Sequence, residues 1–110
     1  MKSLVKHGLI IAMLMLLSAC AGPTPFEEGM DNFHQQNYQA AFDKLYPLAE
    51  DGNADAEYAI GYMFYEGKLG AADKSLGVEW IRKAALQGND LAEQALGIIY
   101  AQANFAPEKA

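Results

Sequence analysis

The chain repeats part of itself after 36 residues, and this internal repeat restricts the fold more than any other feature. The segment AEYAIG at residues 56–61 matches AEQALG at residues 92–97, and DGN at 51–53 matches QGN at 87–89. A period in the thirties is typical of stacked helical hairpins, in which each unit buries its apolar face only against its neighbours. The repeat therefore predicts an all-α array.

Apolar and small side chains recur at the spacing of an amphipathic helix. One such set is Ala56, Ala59, Ile60, Met63, Phe64 and Gly67, and a second, 36 residues later, is Ala92, Ala95, Leu96, Ile99, Tyr100 and Ala103. From these patterns we predict five helices and no strands, at residues 24–36, 38–51, 54–66, 74–87 and 90–103. Glycines are expected to end helices and Asn or Asp side chains to cap the next starts, at Gly52, Gly88, Asn53, Asp73 and Asn89. The first helix should pair with the second and the third with the fourth.

The centre of the chain resembles a complete Sel-one-like repeat, a close relative of the tetratricopeptide repeat. The residues that carry this resemblance are Ala56, Ile60, Gly61, Phe64 and Gly67, followed by Trp80, Lys83, Ala84, Ala85, Gln87, Gly88 and Ala92. The next unit begins in the same way and stops, whereas the upstream unit, with Gly29 and Tyr38, looks more like an ordinary tetratricopeptide. The resemblance covers about residues 26–103. It implies a right-handed α-solenoid of about two and a half antiparallel helical hairpins.

The N-terminus resembles the signal of a bacterial lipoprotein. Lys2 and Lys6 precede an apolar run that is shorter than the ~20 residues of a membrane-spanning helix, and LSAC at 17–20 ends in the only cysteine. The resemblance implies removal of residues 1–19, lipidation of Cys20 and a short linker over 20–25. The alternatives are an ordinary signal, cut after Ala19 or Ala21, and a retained anchor. A lone cysteine in an exported protein favours lipidation.

Charge and reactive groups narrow the function. The chain has 14 acidic against 8 basic residues, and losing Lys2 and Lys6 would leave 14 against 6, a net charge of about −8 that disfavours nucleic acid as a partner. After residue 20 there is one histidine, one serine and one threonine, so we predict no nucleophile with its base, no metal site, no cofactor and no catalysis.

The aromatic residues suggest a binding groove. In tetratricopeptide-like arrays the first helix of each hairpin lines the concave surface, and this resemblance places seven apolar residues there, with Gln94 beside them: Phe26, Met30, Phe33, Tyr58, Tyr62, Tyr65 and Ile98. Such a patch suits an extended peptide or a partner helix. The alternative is that these side chains only pack against neighbouring helices. The fifth helix should bury Leu96, Ile99 and Tyr100.

The expected function is protein–protein binding by a membrane-tethered adaptor in the bacterial envelope. The membrane is contacted only through the lipid, and the residue after Cys20 is not Asp, which by resemblance favours the outer membrane, facing the periplasm; the inner membrane is the alternative. A second hypothesis is a structural subunit that docks through its open C-terminal end, where Ile98, Ala101 and Phe105 lack a covering helix, and self-association is expected there too. The tail 104–110 could cover this end instead. A third hypothesis is a cell-wall or β-lactam hydrolase. The resemblance weakens it, because the exported repeat proteins linked to such hydrolysis tend to carry cysteine pairs between their hairpins, and this chain has a single cysteine.

Overall fold

The computed structural model describes residues 21–105, and over this range the protein is all-α. Its helices are α1 (Pro25–His34), α2 (Tyr38–Glu50), α3 (Ala54–Tyr65), α4 (Lys74–Leu86) and α5 (Asp90–Phe105). The described range contains no strand, which confirms the predicted fold class at that level. No helix within it is long and apolar enough to cross a membrane. The predicted signal at 1–19, Cys20 and most of the tail lie outside the described residues.

The helices begin where polar side chains satisfy their first free amides. Asn53, Asp73 and Asn89 each accept a hydrogen bond from the backbone three residues ahead, at 2.9, 3.0 and 2.8 Å, which confirms the three predicted caps. Before α1, Thr24 and Glu27 form a reciprocal capping box. These local bonds fix where α1, α3, α4 and α5 begin, whereas Asn37 before α2 makes no such bond.

The first four helices end with one hydrogen-bond pattern. After α2, the amide of Gly52 donates to the carbonyl of Ala49 and that of Asn53 to Leu48, both at 3.0 Å, which is the Schellman motif. The motif requires a left-handed residue, and Gly52 and Gly88 supply it with φ of 93° and 86°. After α1 the same position is Gln36, with φ of 65°. The helix therefore stops at His34, two residues before the approximate limit that the sequence predicted.

Neighbouring helices along the chain pack on one another, from α1 on α2 through to α5 on α4, and the joint between α3 and α4 is the most extensive. The main core lies among α1 to α4 and is built around side chains that are almost wholly buried: Ala41, Leu45, Ala49, Ala56, Ala59, Ile60 and Met63. A smaller cluster of Ile81, Ala84 and Ala92 joins α4 to α5. The predicted apolar face of α3 is thus confirmed as buried at Ala56, Ala59, Ile60 and Met63 and as partly buried at Phe64 and Gly67.

The last helix departs from expectation in two ways. It runs to Phe105 rather than to residue 103, and Tyr100, predicted to be buried, is 45% exposed. Among the described helices only α4 makes an extensive contact with α5, so the side of α5 that carries Tyr100 stays at the edge of the joint. The Tyr100 hydroxyl there accepts a hydrogen bond from the Arg82 guanidinium at 3.3 Å. Leu96 and Ile99 are partly buried against α4, as predicted.

Candidate binding groove

Helices α1, α3 and α5 contribute side chains to two adjoining depressions on one face of the protein. The first has a volume of about 360 Å³ and is lined by Phe26, Met30, Phe33, His34, Asp55, Tyr58, Asn89 and Leu91. The second is lined by Tyr58, Tyr62, Tyr65, Glu66, Ile81, Ala95, Ile98, Ile99 and Gln102. Tyr58 lines both, so the two depressions form one continuous surface, which we name the aromatic groove. All seven apolar residues predicted for a groove lie in it.

The floor of the groove is held by contacts between aromatic rings of different helices. The ring of Phe33 in α1 lies edge-on to Tyr62 in α3, with centroids 5.5 Å apart, and to Tyr38 in α2, at 5.8 Å. Such pairs add about 0.5–1.5 kcal/mol beyond the burial of their area. Phe33 therefore helps to position Tyr62 in the floor of the groove.

The aromatic residues of the groove both pack and face outwards. Phe26, Met30 and Phe33 pack against the main core, and Tyr58 and Tyr65 against the smaller cluster, yet each is only half-buried. Packing and groove lining, which the sequence left as alternatives, are thus combined in the same side chains. Ile98 differs from them because it is 59% exposed.

Hydrogen bonds between α3 and the end of α4 stiffen the middle of the groove. The amide of Asn89 donates to the Asp55 carboxylate at 2.6 Å, and that of Gln87 donates to Glu57 at 2.8 Å. Glu57 is only 4% exposed, so its carboxylate needs this partner to offset the cost of leaving water. These contacts were not predicted, although Gln87 and Asn89 stand in the repeated segment.

The groove carries negative charge and free hydroxyl groups. Its ionised side chains are Asp55 and Glu66, and the lining of the two depressions includes neither Lys nor Arg. Burial, together with the nearby Tyr62, raises the pKa of Tyr58, so its hydroxyl keeps its proton and can donate. Within residues 21–105 no hydrogen bond occupies the hydroxyls of Tyr58, Tyr62 or Tyr65. The surface can therefore receive apolar side chains and donate hydrogen bonds to a peptide backbone.

Several residues that line the groove were not predicted to do so, and one residue placed beside the predicted groove lies elsewhere. Leu91 is 57% exposed and seven residues before Ile98, so both lie on one face of α5; that spacing could have revealed it. Asp55 and Asn89 are 34 residues apart in the chain, so their hydrogen bond exists only in the folded protein. Gln94 is exposed and lines neither depression, whereas Ala95 and Gln102 line the second.

Reactive groups are scattered over the described part of the chain. His34 is exposed at the rim of the first depression, and Ser75 lies on α4 outside the groove. Over residues 21–105 no group of three or more His, Asp or Glu side chains is placed to hold a metal ion. The chain gives no match to any family model, curated protein or solved structure against which it was compared. Its family resemblance rests on the repeated residues alone.

Proposed function

We propose that this protein is a lipid-anchored adaptor of the bacterial envelope, built as a right-handed α-solenoid of Sel-one-like repeats, and that it binds a segment of another envelope protein. One observation carries the proposal: α1, α3 and α5 together form a single groove lined by half-buried aromatic side chains and by an exposed isoleucine. A surface of this kind suits peptide binding, because a tyrosine side chain offers apolar area and a hydroxyl group and loses little conformational entropy when a ligand binds.

The order of helix packing supports the solenoid. Every extensive contact joins neighbours in the chain, and the equivalent first helices of the three units, α1, α3 and α5, meet along the groove. In a stacked array each unit contacts only its neighbours, and the first helices form a shared surface. The right-handed twist is the part of this proposal that comes from the family resemblance.

The chemistry of the groove selects the kind of ligand. Apolar walls whose lining carries Asp55 and Glu66 favour a segment with apolar anchors flanked by Lys or Arg, although Lys74 stands over the Tyr65 ring, 5.4 Å from its centroid, at one edge. Phosphorylated or strongly acidic segments are disfavoured by the same two carboxylates. An extended peptide would use the free tyrosine hydroxyls, whereas a helix would place its apolar stripe along the floor.

The proposed anchor sets where binding occurs. Four residues lie between Cys20 and Pro25, the first residue of α1, and the five steps along the chain, at about 3.3–3.6 Å each, hold the domain within roughly 20 Å of the lipid surface. Labelling cells with radioactive palmitate should mark the wild type and leave a Cys20→Ser variant unmarked. Absence of label in the wild type would contradict the anchor without touching the groove.

The groove is tested by a matched pair of lysine substitutions. Ile98→Lys places a charge in the groove, whereas Leu86→Lys changes a side chain that is 82% exposed and lines neither depression of the groove. Both variants should fold, because both side chains are exposed. Chemical crosslinking in intact cells, with the adducts identified by mass spectrometry, should attach one protein segment to the groove in the wild type and in Leu86→Lys, and this particular adduct should be absent in Ile98→Lys. Its persistence in Ile98→Lys would contradict the groove.

Two further results would contradict the proposal. Equal loss of adducts in both lysine variants would show that capture does not pass through the groove. Turnover of cell-wall fragments or β-lactams by the pure protein would replace the adaptor with an enzyme.

A further inference from the structure

The joint between the first and second helices of a unit is built twice in this protein around a glycine. A Cβ atom added to Gly29 of α1 would lie 2.6 Å from the Leu45 side chain of α2. A Cβ added to Gly61 of α3 would lie 2.6 Å from Ile81 Cγ1 and 2.9 Å from the carbonyl oxygen of Gly77, both in α4. Only glycine permits this closeness between the helix axes.

The second helices present the same chemistry to both glycines. Ala41 and Leu45 of α2 stand 36 residues before Gly77 and Ile81 of α4, and all four are buried. Each second helix thus carries a small buried residue and, four positions later, a branched aliphatic residue that meets the glycine of the first helix. The α4 joint has one further contact, since Gln87, ten residues after the small residue, donates to the buried carboxylate of Glu57.

In the third unit, α5 supplies the first helix of such a joint, and no helix of the described range packs against its glycine as α4 packs against Gly61. Gly97 of α5 follows Gly61 by 36 residues, and a Cβ added there would meet nothing within 4 Å. Tyr100 and Ala101 beside it are exposed, and so is Glu93, the counterpart of Glu57. We name the surface formed by Glu93, Gly97, Tyr100 and Ala101 the open face.

We propose that the open face is a docking site for a helix supplied by another protein, with the chemistry of α4. That helix carries Ala or Gly at the crossing, Leu or Ile four residues later and an amide side chain ten residues after the small residue. The structure itself indicates this occupant, because an α4-type helix covers the equivalent face of α3. The carboxylate of Glu93 then accepts a hydrogen bond from this amide, as the carboxylate of Glu57 does from Gln87.

A second copy of this chain fits less well as the occupant. Among the described helices α4 carries the full pattern, whereas α2 has Asp51 ten residues after Ala41, and the residues of α4 that would be needed are already buried: Gly77 is buried and Ile81 is 2% exposed. We therefore assign the open face to a helix of another protein, in which the residues that would meet Gly97 are free.

The open face is centred on Gly97 and the groove side of α5 on Ile98, two residues that point about 100° apart on the helix. The two surfaces adjoin at Ala101, which neighbours Ile98 three positions earlier. Substitutions at Gly97 and Ile98 can still separate docking at the open face from binding in the groove. Failure of either proposal leaves the other standing.

A peptide with the sequence of residues 73–89 provides the probe. A staple joining positions 75 and 79, both exposed in α4, keeps this short peptide helical, which its length alone would not. Fluorescence anisotropy then measures its binding to the full chain in detergent micelles. We expect saturable binding to the wild type and to Ile98→Lys, and at least about tenfold weaker binding to Gly97→Leu, a loss of about 1.4 kcal/mol or more.

The variants and the peptide supply the controls. Gly97→Leu should keep the helical circular dichroism of the wild type, because its Cβ enters open space. A peptide in which the position of Gly77 is leucine should bind at least about tenfold more weakly to the wild type. Together these two losses place the peptide in the expected crossing geometry.

Three results would overturn the proposal. The first is no binding of the peptide to the wild type, and the second is equal binding to Gly97→Leu, which would place the peptide elsewhere or show that it replaces α4 in its own joint. The third is a dimer in analytical ultracentrifugation that Gly97→Leu abolishes, which would assign the open face to a second copy.

Discussion

One substitution, glycine to alanine, is expected to have opposite effects at two positions 36 residues apart. At Gly61 the new methyl group would stand 2.9 Å from the backbone nitrogen of Ile81 and from the carbonyl oxygen of Gly77. Backbone atoms cannot rotate away as the end of a side chain does, so α3 and α4 must move apart by several tenths of an ångström. At Gly97 the same methyl group meets nothing within 4 Å.

The magnitudes follow from two competing terms. Alanine in place of glycine inside a helix stabilises by about 0.8–1.0 kcal/mol, and this gain applies at both sites. Overpacking a tight joint costs about 1–3 kcal/mol and occasionally more, and this cost applies only at Gly61. Since α3 and α4 form the most extensive joint, the upper part of that range is expected. Gly61→Ala should thus lose about 1–2 kcal/mol net, whereas Gly97→Ala should gain up to about 1 kcal/mol.

Urea unfolding followed by far-ultraviolet circular dichroism measures both free energies of unfolding. For a domain of this size, 1 kcal/mol corresponds to a shift in Tm of about 4–8 °C, so thermal melts provide a second measure. If the free energy of unfolding changed with the same sign at both positions, the inference that Gly61 lies at a close helix–helix contact and Gly97 faces open space would be refuted. A changed slope with urea would indicate an altered unfolded state instead.

Three further predictions concern local features. Gln36→Gly should raise the free energy of unfolding by about 1 kcal/mol, because it removes the left-handed strain of a side chain at φ of 65°; no gain in urea unfolding would contradict this. Gln87→Ala should lower the same quantity by about 1–3 kcal/mol, because Glu57 loses its partner while buried, and a change below about 0.5 kcal/mol would mean that water replaces the amide. Hydrogen bonds from the amide and hydroxyl of Thr24 hold the pKa of Glu27 below its ordinary value of 4.5, so its ionised form stabilises the fold above that pH and the effect is lost as the pH falls through the folded-state pKa. Acid titrations of stability should therefore show a smaller loss in Glu27→Gln below pH 4.5 than in the wild type, and identical acid profiles would exclude this contribution.

The helices could be predicted from the sequence because their signals are local. Asn53, Asp73 and Asn89 precede repeated apolar patterns, and glycine stands at the ends of α2 and α4, so both limits of most helices follow from neighbouring residues. The end of α1 could not be predicted in this way. A glutamine occupies its left-handed position, and nothing in the local sequence distinguishes Gln36 from a helical residue.

The groove was predictable where the repeat is regular and less so where it stops. The positions of Phe33, Tyr58 and Tyr62 follow from placing equivalent first helices side by side. The exposure of Tyr100 depends on whether a further helix covers α5, and the pattern of its own residues is that of a buried face. The buried Glu57 is likewise a tertiary feature, since its partner Gln87 is 30 residues away in the chain.

The most direct test of the adaptor is to place a photocrosslinking amino acid at position 98, in the groove, and at position 86, outside it, in living cells. After illumination, mass spectrometry of the adducts identifies which peptide is attached. The account predicts adducts from position 98 to one segment of an envelope protein, with apolar residues flanked by Lys or Arg, and no such adduct from position 86. Adducts that are the same from both positions, or found only from position 86, would contradict it.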